Sequence, residues 1–193
     1  MHIKVIVAMS MPSRGIGLEN NIPWYIPEDL KRFSKLTKGN GNNAIIMGRK
    51  TWESLPIKPL PQRQNIILSK TLLDNNEIKL YDNELYYSNL QSAIDNCKIK
   101  NIDTVWIIGG EKIYDLAFKT LNINSIYVTS IIKDYNCDVF FPSIPKTFNQ
   151  ISLEFNTKND FLVKYETYEN KNNPPIYLDN DDSEKKTCNK NAF

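Results

Sequence analysis

The stretch VWIIGGEKIY, residues 105–114, decides the fold class of this 193-residue chain. Its first half is a continuous apolar run with β-branched residues, which predicts a strand covered on both faces. The pair Gly109 and Gly110 predicts a tight turn, and the residues that follow predict a helix over 111–120. A buried strand that passes directly into a helix is typical of the parallel sheets of α/β proteins.

The same alternation of strand and helix continues in both directions along the chain. Apolar runs predict four further strands, at 3–9, 44–47, 65–69 and 125–131. Periodicity and end signals predict three further helices, at 27–38, 50–55 and 90–97. Residues 148–156 and 161–168 predict an antiparallel hairpin with a polar turn at 157–160. We therefore expect one α/β domain, with a twisted, mostly parallel sheet of about eight strands, an antiparallel C-terminal edge strand and about four helices.

Composition limits the functions that the chain can have. With 41% apolar and 24% charged residues it is a folded protein, and a net charge of +2 lacks the positive field of a nucleic-acid binder. Cys97, Cys137 and Cys188 have no zinc spacing and His2 is the lone histidine, so most hydrolase triads and zinc enzymes are excluded and no metal site is expected.

The ends of the sequence bear on location and domain organisation. No signal peptide and no run of about 18 apolar residues is present, so we expect a cytoplasmic protein without a membrane partner. Residues 1–169 are expected to form the domain. Residues 170–193 are rich in Asn, Lys and Asp, and are expected to form a mobile polar tail.

Asp29 is the first candidate for an acid in a binding cleft. It lies at the start of a predicted helix, where an acid can simply oppose the helix dipole. Its neighbours Trp24, Leu30 and Phe33 are apolar, however, and an aspartate that faces a cleft of such groups has a raised pKa. Glu28 points about a quarter turn away on the same helix and is the competing candidate.

Glycines and cations occur at the turns after three predicted strands. GIGLEN (15–20) has two glycines of a dinucleotide fingerprint but not the third, so we interpret it as a flexible loop over the end of the first strand. Gly109 and Gly110 would let a diphosphate lie against the N–H groups of a helix N-terminus. Arg49 and Lys50 open another helix, where cations oppose the dipole, so they either bind an anionic ligand or are solvated surface charges.

Taken together, these segments resemble dihydrofolate reductase. The resemblance covers residues 3 to about 169 and rests on the order and approximate spacing of eight segments: VIVAMS (5–10), GIGLENNIPW (15–24), PEDLKRF (27–33), AIIMGRKTWESLP (44–56), LPQRQNIILS (60–69), VWIIGGEKIY (105–114), IYVTSI (126–131) and DVFFP (138–142). It implies NADPH-dependent reduction of 7,8-dihydrofolate, inhibition by antifolates such as methotrexate, and a monomeric enzyme.

The resemblance also implies roles for residues toward the substrate. Asp29 matches the acid that hydrogen-bonds the amidine-like edge of the pterin and promotes protonation at N5, and Thr129 matches the hydroxyl that bonds this acid. Ile22 and Trp24 are grouped with them as catalytic. Arg63 matches the arginine that takes the α-carboxylate of the glutamate tail. Backbone carbonyls of Ile6 and Ile108 and side chains of Val7, Leu30, Phe33, Thr51, Ser54, Leu55, Leu60 and Tyr114 are the further expected substrate contacts.

For NADPH the resemblance implies three groups of contacts. Ala8, Ile16 and Ile22 would surround the nicotinamide. The diphosphate would lie on Gly109, Gly110, Glu111, Lys112 and Ile113. The 2′-phosphate would be received by Arg49, Lys50, Thr51, Ser69 and Lys70, whose three cations favour NADPH over NADH. Gly17, Gly48 and Leu68 complete the expected cofactor contacts.

Two departures and two alternatives remain open. The segment 11–14 is about one residue longer than is common in the family and contains Pro12, and Gln62 stands where the family often has a glycine. One alternative is an NADPH-dependent pyrimidine reductase of riboflavin synthesis, which Arg63 disfavours because that substrate has no glutamate tail. The other is a protein that binds folate or NADPH without chemistry. No nucleic-acid partner is expected.

Overall fold

The computed structural model describes residues 1–70, 84–158 and 161–175. Its described strands are β1 (His2–Ser10), β2 (Gly15–Gly17), β3 (Asn43–Gly48), β4 (Gln64–Leu68), β5 (Glu84–Tyr87), β6 (Thr104–Gly109), β7 (Ser125–Ile131), β8 (Val139–Phe140), β9 (Phe148–Lys158) and β10 (Phe161–Asn170). Its described helices are α1 (Pro27–Lys38), α2 (Arg49–Ser54), α3 (Leu90–Ile99) and α4 (Glu111–Thr120). None of these helices is long and apolar enough to cross a membrane.

Eight of the described strands form one continuous sheet in the order β5-β4-β3-β6-β1-β7-β10-β9. Every neighbouring pair from β5 to β7 is parallel, whereas β10 and β9 are antiparallel to their neighbours. The short strands β2 and β8 pair with each other beside the end of β1. The predicted fold class is therefore confirmed, including the antiparallel strands at the C-terminal edge.

The central strands are apolar throughout because both faces of the sheet are covered. One face carries Val5, Ile46 and Ile107 against α3 and α4. The other face carries Ile45 and Trp106 against α1 and α2. Burial on both sides removes the alternation of apolar and polar residues that a half-exposed strand would show, and this explains the continuous runs in the sequence.

Four elements differ from the sequence-based expectation, one of which is the two-residue strand β8, which was not predicted. GIG (15–17) forms the strand β2, where a flexible loop was expected, because β1 and β8 supply partners on either side of it. β5 was not predicted, since its four residues ELYY include a charged side chain, Glu84, that is buried in the fold. The hairpin is longer than predicted, because β9 continues to Lys158 and leaves less chain for the turn.

The expected tail lies mostly outside the described residues. Asn170 still belongs to β10, and its N–H donates to the carbonyl oxygen of Asn124 at 2.9 Å. The N–H of Lys171 donates to the carbonyl of Thr147 at 2.9 Å. Residues 176–193 are not described, so a mobile tail that begins near residue 170 stays a prediction.

The carboxyl ends of the parallel strands meet at one edge of the sheet. There β3 passes directly into α2, and β6 passes into α4 through Gly110. Helix α1 begins at Pro27, whose fixed φ suits a first helical turn, and ends before Gly39, which has a φ of 53°. Strand ends and helix starts thus surround one space, as expected for the ligand sites of α/β proteins.

Candidate active site

A cleft of about 510 Å³ opens at this edge of the sheet. Most of the residues predicted to bind substrate or nicotinamide line it. They are Ile6, Val7, Ala8, Ile16, Gly17, Ile22, Trp24, Asp29, Leu30, Phe33, Thr51, Ser54, Leu55, Ile108, Gly110, Tyr114 and Thr129. The structure therefore brings together residues that are up to 123 positions apart (129 minus 6) in the sequence.

Six further residues line the cleft that the sequence analysis did not assign to it: Asn20, Asn21, Tyr25, Ile26, Pro56 and Val139. All six lie inside or directly beside the segments that carry the family resemblance. The resemblance therefore points to these segments as a whole, although it implied roles for only single positions within each of them. A segment that wraps a cleft contributes consecutive residues to its wall, since backbone as well as side chains face the ligand.

Asp29 is the one carboxylate among the described residues of the cleft wall. It is half-buried, and the Thr129 hydroxyl donates a 2.6 Å hydrogen bond to its Oδ1 atom. Burial raises the pKa of Asp29, while the bond from Thr129 and the charge of Arg32 oppose the rise. Glu28 does not line the cleft. Of the two competing acids, Asp29 is therefore the one that faces the cleft.

Tyr114 ties helix α4 to the central strand β1 at the base of the cleft. Its buried hydroxyl donates a 2.8 Å hydrogen bond to the carbonyl oxygen of Ile6, and burial raises the pKa of the phenol. A carbonyl oxygen has two lone pairs, so Ile6 can still accept a bond from a ligand. Gly109 has a φ of 112°, and a Cβ there would lie 3.0 Å from the Tyr114 ring, so this turn requires glycine.

The loop between β1 and α1 closes one side of the cleft, and its conformation was left open by the sequence. Asp138 holds it at two points: its N–H donates to the Gly17 carbonyl at 2.9 Å, and its Oδ2 atom accepts from the Glu19 N–H at 3.1 Å. At the base of the loop, the Ser13 hydroxyl donates to Asp134 at 2.7 Å. The longer segment 11–14 is therefore attached to the chain that follows β7.

Trp24 and Ile22 lie in the same loop but differ in their surroundings. The Trp24 ring packs against the Tyr135 ring with a centroid distance of 5.4 Å, within the small cluster around Ile26 and Ile131. Ile22 is 61% exposed at the mouth of the cleft. An exposed isoleucine beside an apolar cleft is positioned to cover a ligand, because such contact removes apolar surface from water.

Arg63 and Leu60, both predicted to contact substrate, do not line the cleft. Arg63 is 5% exposed and lies behind Phe33, with its guanidinium 5.9 Å from the ring centroid. Its Nη1 atom donates to the Thr37 hydroxyl at 2.6 Å, its Nε atom donates to the Pro61 carbonyl at 3.0 Å, and burial lowers its pKa. Within the described parts of the chain it has no ion pair.

The turn that precedes Arg63 also explains a departure noted in the sequence. Gln62 has a φ of 62°, in the left-handed region that glycine adopts without strain. The glycine that the family resemblance led us to expect at this position would suit the same backbone. Leu60 packs with Phe33 and Leu55 in the apolar cluster beneath the cleft, so it supports the wall without forming its surface.

Most of the residues predicted to hold the phosphates lie outside the cleft wall, near the ends of neighbouring strands, whereas Gly110 and Thr51 line the cleft itself. Gly48 and Leu68 are directly paired across β3 and β4, so the residues that follow each strand are brought side by side. Helix α4 has no side-chain cap at its N-terminus. Arg49 is engaged by Glu53 at 2.6 Å. The predicted residues placed in this outer region are Gly48, Arg49, Lys50, Leu68, Ser69, Lys70, Gly109, Glu111, Lys112 and Ile113.

Comparison with known proteins agrees with this geometry. Residues 2–170 match the family model described as dihydrofolate reductase. The chain is 39% identical over 162 residues to dihydrofolate reductase of Buchnera aphidicola (82% of this chain, 91% of that protein). It is 37% identical over 145 residues to that of Drosophila melanogaster (72% and 78%) and 34% identical over 172 residues to that of Aedes albopictus (80% and 90%). The matched region extends from β1 to β10.

Proposed function

Because the chain belongs to the dihydrofolate reductase family, we propose that it reduces 7,8-dihydrofolate to 5,6,7,8-tetrahydrofolate with NADPH as the reductant. The chain is an oxidoreductase of that family, and its product would support thymidylate synthesis and one-carbon metabolism. When bound, NADPH supplies the hydride that C6 of the pterin gains; N5 gains a proton, the N5=C6 bond becomes single, and NADP⁺ is the second product.

One observation carries this proposal: among the described residues a single carboxylate, Asp29, faces a mostly apolar cleft and accepts a 2.6 Å hydrogen bond from the Thr129 hydroxyl. A carboxylate can accept two parallel N–H bonds from the amidine-like edge of a pterin, which fixes the ring in one orientation. Its raised pKa also lets it share a proton with the bound ring closer to neutral pH than an exposed aspartate could. Orientation and proton availability are the two contributions this reaction needs from the protein.

The outer region fits a dinucleotide phosphate. The N-terminus of α4 lacks a side-chain cap, so its first N–H groups are available to a diphosphate that approaches over Gly110. A Cβ at Gly110 would lie 3.4 Å from the Thr51 hydroxyl, toward α2. Lys50 and Lys70 are exposed where the paired strands β3 and β4 end, and each can donate a charge-assisted bond to a 2′-phosphate.

Arg63 supports a substrate with an anionic tail. A buried guanidinium has five N–H donors, and the two bonds to Thr37 and Pro61 leave others for a ligand. A buried cation without a carboxylate partner is costly, and the α-carboxylate of a glutamate tail would satisfy it. We further propose that antifolates such as methotrexate compete for this cleft, and that the protein acts as a cytoplasmic monomer.

The proposal is tested by following NADPH absorbance at 340 nm with dihydrofolate, with and without methotrexate. We expect methotrexate-sensitive oxidation by the wild-type chain. Asp29→Asn should retain NADPH binding but lose about 10²- to 10⁴-fold in turnover at neutral pH, the usual range for loss of acid–base catalysis. The matched control is Glu28→Gln, which removes the neighbouring acid from α1 and should change turnover less than about twofold.

Three outcomes would contradict the proposal. No absorbance loss from a folded sample that binds both ligands would identify a binding protein. Preferred turnover of the pyrimidine substrate of riboflavin synthesis would identify the other reductase. Near-normal activity of Asp29→Asn, or an equal loss in Glu28→Gln, would remove Asp29 from its assigned role.

A further inference from the structure

A second charged side chain, Arg32, lies directly behind the acid of the cleft. It follows Asp29 by three residues on α1, so both side chains project from the same face of the helix. Its Nη1 atom donates a long, 3.5 Å hydrogen bond to the Thr129 hydroxyl oxygen. Its guanidinium carbon lies 4.8 Å from the Tyr165 ring centroid and 6.0 Å from that of Tyr127. Arg32 does not line the cleft, so a bound ligand would reach it only through its neighbours.

We propose that Arg32 is a positioning residue for the reduction, because it fixes the direction of the Thr129 hydroxyl proton and places a permanent positive charge behind the Asp29 carboxylate. A guanidinium can only donate hydrogen bonds. The Thr129 oxygen therefore accepts from Arg32, and its own proton is directed to Oδ1 of Asp29 at 2.6 Å. The proposal rests on the function proposed above, since it assigns a task to Arg32 within that reaction.

Arg32 is half-buried, and acidic and aromatic side chains from several elements surround it and Asp29. The groups that face Asp29 and Arg32 are Glu28 from α1, Tyr127 and Thr129 from β7, Tyr165 from β10 and Glu154 from β9. Arg32 is the cation of this set. Burial lowers the pKa of its guanidinium and the charge of Asp29 opposes that effect, but an arginine remains protonated in proteins. Its field thus favours an ionised Asp29 at every pH at which the protein is folded.

The expected effect of Arg32 on the pKa of Asp29 follows from the two hydrogen bonds that connect these side chains through the Thr129 hydroxyl. Nη1 of Arg32 lies 3.5 Å from the Thr129 hydroxyl oxygen, and that oxygen lies 2.6 Å from Oδ1 of Asp29. The distance from Nη1 to Oδ1 is therefore at most about 6 Å. With an effective dielectric constant between about 20 and 40, removal of one charge at that distance raises the pKa of a carboxyl by about one to two pH units. Tyr165 and Tyr127 contact the guanidinium, so a variant should keep a side chain of similar length.

The first test needs no ligand and no activity. Carboxyl ¹³C NMR of the full-length protein, with the Asp29 signal assigned by its loss in Asp29→Asn, gives the Asp29 titration directly. We expect its midpoint to rise by about one to two pH units in Arg32→Met and in Arg32→Gln, and to return toward the wild-type value in Arg32→Lys. Lys31→Met, which removes an exposed cation from the same helix, is the matched control. Its Asp29 titration midpoint should stay within about 0.2 pH units of the wild-type value.

The second test connects this field to the reaction. Single-turnover reduction of dihydrofolate needs a proton at N5, so its rate falls as pH rises. Removal of the positive charge makes the site retain a proton to higher pH. The alkaline limb of the rate should therefore move upward in Arg32→Met by the same amount as the NMR midpoint, and KM for dihydrofolate at neutral pH should change less than about threefold. Arg32→Lys should restore most of the profile.

The outcomes separate this proposal from the proposed function. An unchanged Asp29 midpoint in folded Arg32→Met and Arg32→Gln would refute the role of Arg32, even if the wild type is an active reductase. A raised Asp29 midpoint in Arg32→Met together with an unchanged alkaline limb of the single-turnover rate would also refute the role of Arg32. If the wild type oxidises no NADPH with dihydrofolate, the proposed function fails and this assignment fails with it. Thermal unfolding of each variant confirms that the compared samples are folded.

Discussion

Removal of Arg63 offers the sharpest test of substrate identity, because this residue is expected to recognise a part of dihydrofolate that does not react. The variant Arg63→Met keeps a long apolar side chain behind Phe33 and removes the guanidinium. A hydrogen bond to a charged group contributes about 1.5–3 kcal/mol, so two bonds to a tail carboxylate could give up to about 6 kcal/mol. Part of this is lost because the tail carboxylate must leave water.

We therefore expect a net loss of about 3 kcal/mol, or about 10²-fold in kcat/KM for dihydrofolate. The assay compares this substrate with a dihydropterin that lacks the aminobenzoyl-glutamate tail. On the tail-free substrate, Arg63→Met and the wild type should differ by less than about threefold. Single-turnover rates at saturating dihydrofolate should also be similar, since the tail binds equally before and during the hydride step.

Stability provides the control for this variant. Loss of the guanidinium leaves the Pro61 carbonyl without its 3.0 Å donor and removes one bond from the Thr37 hydroxyl, which still donates to the Phe33 carbonyl at 2.7 Å. We expect about 1–3 kcal/mol of destabilisation, which thermal unfolding will measure. The exposed cation Lys58 is the matched control, and Lys58→Met should affect neither substrate. An equal loss on both substrates would show that Arg63 supports the fold and does not bind a tail.

Two further predictions concern Asp29 and the loop over the cleft. Because burial raises the folded-state pKa of Asp29, ionisation of this group opposes folding, so wild-type stability falls as pH rises from the ordinary aspartate range through the raised pKa. Asp29→Asn lacks this fall. Its free energy of unfolding relative to that of the wild type should therefore increase with pH by at most about 1.4 kcal/mol per pH unit across that interval, and then stay constant. The same difference in free energy of unfolding at all pH values would contradict this prediction. Asp138→Ala removes the acceptor of the Glu19 N–H bond, so we expect the hydride-transfer rate to fall about fivefold with little change in dihydrofolate affinity. Asp134→Ala, at the base of the same loop, should lower the hydride-transfer rate less than Asp138→Ala does in stopped-flow measurements. A larger loss in Asp134→Ala would refute the assignment of Asp138 as the residue that holds the loop over the cleft.

The sequence was sufficient for the central part of the fold, where one physical cause dominates. Strands such as β6 and β7 are covered on both faces, and continuous burial leaves a continuous apolar run in the sequence. β5 and β2 lacked this signal. β5 is short and buries Glu84, and β2 forms because two partner strands are present beside it, which no local pattern reports.

The candidate site also contains residues that the sequence could indicate and residues whose position depends on contacts between distant parts of the chain. Asp29 and Thr129 stand at single positions for which the family resemblance implies a role, so they could be proposed as site residues from the sequence, and both line the cleft. Arg32 could not, because its place depends on contacts with Thr129 and Tyr165, which are 97 and 133 residues further along the chain. The sequence also did not give the position of Arg63 behind Phe33, since a matched residue type does not say whether its side chain lines a cleft or lies beneath its wall.

The central place of β1 in the sheet has a consequence for synthesis of the protein. β1 lies between β6 and β7, and Ser10 pairs with Ile131, which is translated 121 residues later (131 minus 10). At about 5–20 residues per second, the first strand waits about 6–24 s on the ribosome before its last partner exists. During that time its apolar side chains are available to chaperones. Because Thr129 belongs to β7, the pair that defines the cleft also forms only then, so no ligand of this cleft can assist the early steps of folding.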